Sequence, residues 1–133
     1  MMSKTDRLNI LAVEDEADHL LALSMIFAEE KGYNFFPARD MAEGMSVLNN
    51  ARIDVVILDI GLPGASGIEF CESLKKDPRY KHLPVIALSA FPYDLYAKKA
   101  LAAGCTYFME KPFNSKALEA KVLEIALNKD EGL

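Results

Sequence analysis

Five short apolar runs alternate along the chain with longer amphipathic stretches. Residues 8–13, 34–37, 53–58, 84–89 and 105–109 are rich in β-favouring side chains and predict strands. Residues 17–31, 40–50, 67–76, 93–103 and 114–128 predict helices. Leu20, Leu23 and Phe27 fall at i, i+3 and i+7 of the first, and Leu118, Val122 and Ile125 at i, i+4 and i+7 of the last. Gly32 and Gly104 stand where helices must stop, because glycine accepts positive φ. Asp40 is placed to cap a helix, with Glu43 at the capping-box position, and Asn114 or Ser115 to cap the last one. Strands alternating with helices of this length imply βαβ units, hence an α/β fold with a parallel sheet. Right-handed crossovers then put helices on both faces.

The ends of the apolar runs carry chemistry. Ile10-Leu11-Ala12-Val13 runs into Glu14-Asp15-Glu16, and Val55-Val56-Ile57-Leu58 into Asp59 and a loop punctuated by Gly61, Pro63, Gly64 and Gly67. Val85-Ile86-Ala87-Leu88 runs into Ser89-Ala90, and Thr106-Tyr107-Phe108-Met109 into Glu110-Lys111-Pro112-Phe113. In an open parallel sheet ligands bind beyond the carboxyl ends of the strands. Acids, a hydroxyl and an ammonium are therefore expected to converge on one rim.

Composition narrows the function. With 133 residues, 51% of them hydrophobic, one domain with a substantial core is expected, its body at about 8–127 between short polar tails. A net charge of −5 argues against nucleic-acid binding. No apolar stretch approaches the length of a membrane span, and the start of the chain does not read as a signal peptide, so a cytoplasmic protein is expected. Cys71 and Cys105 have no metal-type spacing and read as reduced core thiols. His19 and His82 read as solvent-exposed, without a partner at metal spacing, and Asp54 reads as a turn residue.

Bringing Glu14, Asp15 and Asp59 together is costly. Two carboxylates ~5 Å apart repel by roughly 3 kcal/mol at an effective dielectric near 20. A hard divalent ion removes that cost, and Mg2+ suits a site of few carboxylates, waters and a phosphate oxygen. Asp59 is then a candidate nucleophile, since carboxylates form aspartyl phosphates. Phosphoryl transfer is catalysed mainly by placement and charge neutralisation. Lys111, the Ser89 hydroxyl and Mg2+ can each take one phosphoryl oxygen.

At these residues the chain resembles the response-regulator receiver family of two-component signalling. The resemblance covers about residues 8–127. It is carried by Glu14-Asp15, by Asp59 with Pro63 and Gly67 downstream, by Ser89-Ala90, and by Lys111-Pro112-Phe113. It implies a stand-alone domain with a five-stranded sheet of order 2-1-3-4-5, and a Lys111–Pro112 bond that in this family is often cis. It also implies that Asp59 is the phosphoacceptor, and that Asp15, Asp59 and the Gly61 carbonyl bind Mg2+ directly while Glu14 acts mainly through water. A histidine kinase or phosphotransfer protein is the implied donor. Ser89 and Phe108 fall at the family's switch positions, and a downstream protein is expected at the 93–127 face, where Tyr93, Tyr96, Lys98 and Lys99 offer handles.

Rival functions fit less well. Aspartyl-nucleophile enzymes commonly carry a second acid two residues on, where this chain has Gly61, and there are no residues for a cap. A scaffold indifferent to phosphorylation has no use for the intact acids, Ser89 and Lys111. A flavin carrier would not place acids in the first loop. Phe108, unlike a tyrosine, has no hydroxyl to present to a partner. Phe91, two residues after Ser89, flanks the path of hydrolytic water in this family, and its bulk is expected to lengthen the life of the aspartyl phosphate. Phe91→Glu is therefore expected to speed dephosphorylation. An unchanged decay rate of the phosphorylated protein would contradict that role.

Overall fold

The computed structural model describes residues 7–60, 66–90 and 93–131, with the side chains at 66, 93–96 and 128–131 left aside. Strands β1 (Leu8–Val13), β2 (Tyr33–Ala38), β3 (Val55–Asp59), β4 (Val85–Ser89) and β5 (Tyr107–Glu110) form one parallel sheet of order β2-β1-β3-β4-β5. Helices α1 (Ala17–Ile26), α2 (Met41–Asn50), α3 (Ser66–Lys76), α4 (Tyr93–Ala102) and α5 (Ser115–Glu131) connect and follow them. Fold class and strand order are those expected.

Strict alternation along strands that are apolar on both sides generates two cores. Leu11, Val13, Val56, Leu58, Val85 and Ala87 pack with Leu48 of α2, Phe70 and Leu74 of α3, and Ala97 and Ala100 of α4. Ile10, Ala12, Val55, Ile57, Ile86 and Leu88 face the other way, toward Leu23 of α1 and Leu118 and Val122 of α5. Successive strand residues point to opposite faces, so a run such as Val55-Val56-Ile57-Leu58 feeds both cores at once. Burying each such side chain is worth roughly 1.5–3 kcal/mol.

Local signals act largely as expected. Asp40 Oδ1 accepts the Glu43 backbone N–H at 2.8 Å, while Glu43 Oε1 reaches back one residue further than a capping box requires, to the Arg39 N–H at 2.6 Å. Asn114 is the cap of α5, accepting the Ala117 N–H at 3.0 Å. Gly32 and Gly104 have φ of 99° and 105°. Asp54 is a turn residue with a fixed partner, its Oδ2 accepting the Asn9 N–H at 2.8 Å.

The expected helix over 17–31 is broken. The α-helix ends at Ile26, Phe27 and Ala28 leave helical geometry, and a 3-10 turn covers Glu29–Lys31. Nothing in Ala-Glu-Glu-Lys opposes a helix by propensity. The stop comes from packing. Phe27 is fully buried edge-to-face on Tyr33, ring centroids 5.1 Å apart, and Lys31 Nζ donates to the Ile26 carbonyl at 3.0 Å. Cys71 and Cys105 are free and buried as expected, but the fold brings their sulfurs to 3.2 Å.

Helix α3 approaches the end of β3 closely. A Cβ on Gly67 would lie 3.3 Å from the Asp59 carbonyl oxygen and 3.3 Å from Ile60 Cγ1. Gly67→Val is expected to lose about 1–3 kcal/mol in urea unfolding, and Gly67→Ala less. A valine variant as stable as the wild type would show that the approach is not limiting.

Candidate functional site

Four strand ends build the site. Register pairs Val13 with Leu58, Asp59 with Leu88, and Ser89 with Glu110. Pairing continues past the strands proper. The Glu14 N–H donates to the Ala38 carbonyl at 2.9 Å, and the Lys111 N–H to the Ser89 carbonyl at 2.7 Å. Glu14 and Lys111 are thus positioned by backbone ladders before their side chains contribute anything. The Lys111–Pro112 bond is cis.

Lys111 is the hub. Its Nζ lies 2.7 Å from Asp59 Oδ2, 3.3 Å from Glu14 Oε2 and 3.2 Å from His19 Nδ1. The Glu14 and Asp59 side chains are only 2% and 7% exposed. Glu14 Oε1 accepts the Glu16 N–H at 3.0 Å, at the start of α1. Asp59 Oδ1 is buried and has no hydrogen-bond partner among the described residues. A buried carboxylate oxygen is costly without a partner, and a cation or an N–H donor would satisfy it.

The electrostatics follow from this burial. Desolvation, and then the neighbouring Asp59, push Glu14 up to about 7, although the Glu16 N–H and Lys111 pull the other way. Burial by itself would lower Lys111. Contact with Asp59 and Glu14 outweighs it and holds the ammonium above its ordinary value. The site is therefore a buried acid pair bridged by one firmly charged ammonium.

The expected residues do not all arrive. Glu14, Asp59 and Lys111 meet. Ser89 ends β4 and is fully buried beside β3. Phe108 is 5% exposed and packs into the core on the α3 and α4 side. Asp15 is exposed, and Glu14 is the member of the acidic pair that turns inward. Gly61, Pro63, Gly64 and Phe91 lie outside the described residues, as do the side chains of Tyr93 and Tyr96.

His19 corrects an expectation. Read as a solvent-exposed residue without metal partners, it is only 44% exposed and joins the cluster. Its Nδ1 lies 3.2 Å from Glu14 Oε2 and 3.9 Å from Asp59 Oδ2. Donor atoms of Glu14, His19 and Asp59 fall within 4.8 Å of one another, beside the Lys111 ammonium. The available signal was its place on the first turn of a helix that follows a strand-end acid. His82 is exposed, as read.

No helix among the described residues is long and apolar enough to cross a membrane. The model of the response regulator receiver domain matches residues 10–123. The transcriptional regulatory protein YrkP of Bacillus subtilis is 37% identical over 116 residues, 86% of this chain and 47% of its own length. The polar-differentiation response regulator DivK of Brucella anthropi is 32% identical over 107 residues, 80% of this chain and 85% of its own. The chemotaxis protein CheY4 of Vibrio cholerae superposes with a TM-score of 0.80 at 27% identity, over 90% of this chain and 98% of its own. The chain spans about half the length of YrkP and most of the length of DivK. A family match reaching from β1 into α5 takes in every strand end that builds the cluster, and this chain belongs to the response regulator receiver domain family, the phosphoacceptor signalling domains of two-component systems.

Proposed function

We propose that this chain is a receiver that takes a phosphoryl group on Asp59 from the phosphohistidine of a histidine kinase or phosphotransfer protein. The observation that carries the reading is the state of the Asp59 carboxylate. Oδ2 is held by Lys111 at 2.7 Å, and Oδ1 is buried without a partner among the described residues. A carboxylate fixed at one oxygen by a cation is oriented and shielded from repulsion toward an incoming phosphate. In the transfer a carboxylate oxygen bonds to phosphorus, the phosphorus–nitrogen bond breaks, and the imidazole leaves with the electron pair and takes up a proton.

The acids fit a divalent cation. Asp59 and Asp15 are the proposed direct ligands together with the Gly61 carbonyl, and Glu14 acts mainly through water. Mg2+ when bound would neutralise charge on the phosphoryl oxygens. Lys111 keeps its ammonium for the same task, because two carboxylates hold it above its ordinary value.

The domain works as a phosphorylation-dependent switch, with no separate substrate turned over. It promotes only its own phosphorylation and dephosphorylation, in the cytoplasm. Ser89 and Phe108 lie on paired strands, with Ala87 opposite Phe108 and Ser89 opposite Glu110. A pull on Ser89 by a phosphoryl oxygen is felt directly by β5. The 93–127 face carries exposed Leu101, Tyr107, Leu123 and Leu127, suited to a downstream protein.

Two outcomes are expected. Incubation with Mg2+ and acetyl phosphate should give a phosphoryl adduct mapped to Asp59, absent in Asp59→Asn and at least ~10-fold slower to form in Lys111→Ala. An adduct on another residue, or none, overturns the proposal. The second concerns the acid pair without metal. Unfolded Glu14 loses its proton near 4.5, whereas the folded residue keeps it to about 7. Between those values the folded state binds more protons, so stability falls as pH rises. Glu14→Gln removes this titration. In chelator it should gain on the wild type by roughly 2–3 kcal/mol between about pH 5 and about pH 8, read by urea unfolding. A constant difference across that range would contradict it.

A further inference from the structure

We propose that Cys71 and Cys105 form a redox modification site, at which hydrogen peroxide closes a reversible disulfide that ties α3 to the turn feeding β5. The two sulfurs stand 3.2 Å apart, although the residues are 34 positions apart in the chain. A covalent S–S bond is ~2.05 Å long, so each sulfur has to close by only ~0.6 Å. The thiols come from different elements, Cys71 from the middle of α3 and Cys105 from the turn between α4 and β5.

Both supports are already fixed. The Cys105 N–H donates to the Ala100 carbonyl at 3.0 Å, and the Thr106 N–H to the Val85 carbonyl at 2.7 Å. Lys75, one helical turn after Cys71, crosses the same chain turn. Gly104 has a φ of 105°, and a Cβ there would strike Lys75 Cγ. The Lys75 ammonium donates to the Leu83 carbonyl at 2.6 Å. A bond between the sulfurs therefore adds to a contact the fold already makes.

The chemistry is that of a reactive thiol beside its resolving partner. The Cys105 S–H donates to Cys71 Sγ. That hydrogen bond, with the Lys75 ammonium, holds the Cys71 thiol below its ordinary value although burial opposes it. The thiolate is the form that reacts. Cys71 sulfur bonds to a peroxide oxygen, the O–O bond breaks, and hydroxide leaves as water with the Cys71 proton. Cys105 sulfur then bonds to Cys71 sulfur, the S–O bond of the sulfenic acid breaks, and a second water leaves with the Cys105 proton. Two thiols are oxidised and one peroxide is reduced. Burial, complete for Cys71 and 94% for Cys105 (6% exposed), makes the first step slow. Contact with Cys105 makes the second fast, so further oxidation of sulfur is forestalled. In a reducing compartment such a bond is transient and reports an oxidant.

The test uses the full chain, reduced, freed of reductant and treated with hydrogen peroxide without denaturant. Non-reducing peptide mapping should join the Cys71 and Cys105 peptides within one chain, and dithiothreitol should release them. Reading the cysteine peptides keeps methionine oxidation out of the signal. In Cys105→Ser, Cys71 should instead give a sulfenic acid that dimedone traps. The oxidised wild type should unfold at a higher urea concentration than the reduced protein, because the cross-link restrains the unfolded chain. Several results overturn the inference: thiols that persist, dimedone adducts on the wild type in place of a cross-link, a link formed only in urea or only between two chains, or an oxidised protein that unfolds more readily. The pair shares no residue with the Asp59 cluster, so none of these outcomes bears on the phosphoacceptor reading.

Discussion

Parallel pairing in register is the constraint on which the rest depends. Because β1, β3, β4 and β5 run the same way, all of their carboxyl ends reach one edge. Their ladders then extend by a residue or more, carrying Glu14, Ile60 and Lys111 beyond the strands in ordered positions. Functional groups more than ninety residues apart in the chain meet because backbone hydrogen bonds bring them there. A one-residue slip of β3 would turn Asp59 to the other side of the sheet and exchange its two apolar sets between the cores.

The cost of that convergence is borne locally. Glu14 and Asp59 are both nearly removed from water, and one ammonium stands between them. An ion pair so buried adds little net stability, since desolvation consumes most of the attraction. Its value lies in readiness. The Asp59 carboxylate has one oxygen committed to Lys111 and one without a partner among the described residues, the state that the proposed reading requires. Pairing with the two acids keeps Lys111 charged despite its burial, so the neutralising group does not have to be recruited.

Around this rim the fold sets a fully buried centre beside a more open edge. The central strands are buried on both faces and Gly67 lets α3 sit against the Asp59 carbonyl. The side toward β5 is different. It is an edge with a half-open surface, where Tyr107 is exposed under the Lys121 ammonium while its neighbour Phe108 points into the core. Alternation along a short edge strand thus places one aromatic ring in each environment.

The strand-and-helix alternation, the caps at Asp40 and Asn114, the stops at Gly32 and Gly104 and the acids, hydroxyl and lysine at strand ends could all be read from the chain. Each depends on periodicity or on the chemistry of one residue and its near neighbours. Strand order itself came through family likeness. Only the tertiary structure decided which acid of the Glu14-Asp15 pair is buried: Glu14 is 3% exposed and Asp15 is exposed. It also decided that α1 stops at Ile26, because Phe27 needs the core more than the helix needs another turn. The sulfurs of Cys71 and Cys105, and His19 with Asp59, came together for the same reason. Contacts between residues tens of positions apart leave no periodic trace in a single sequence, and they are set by how helices dock on a twisted sheet.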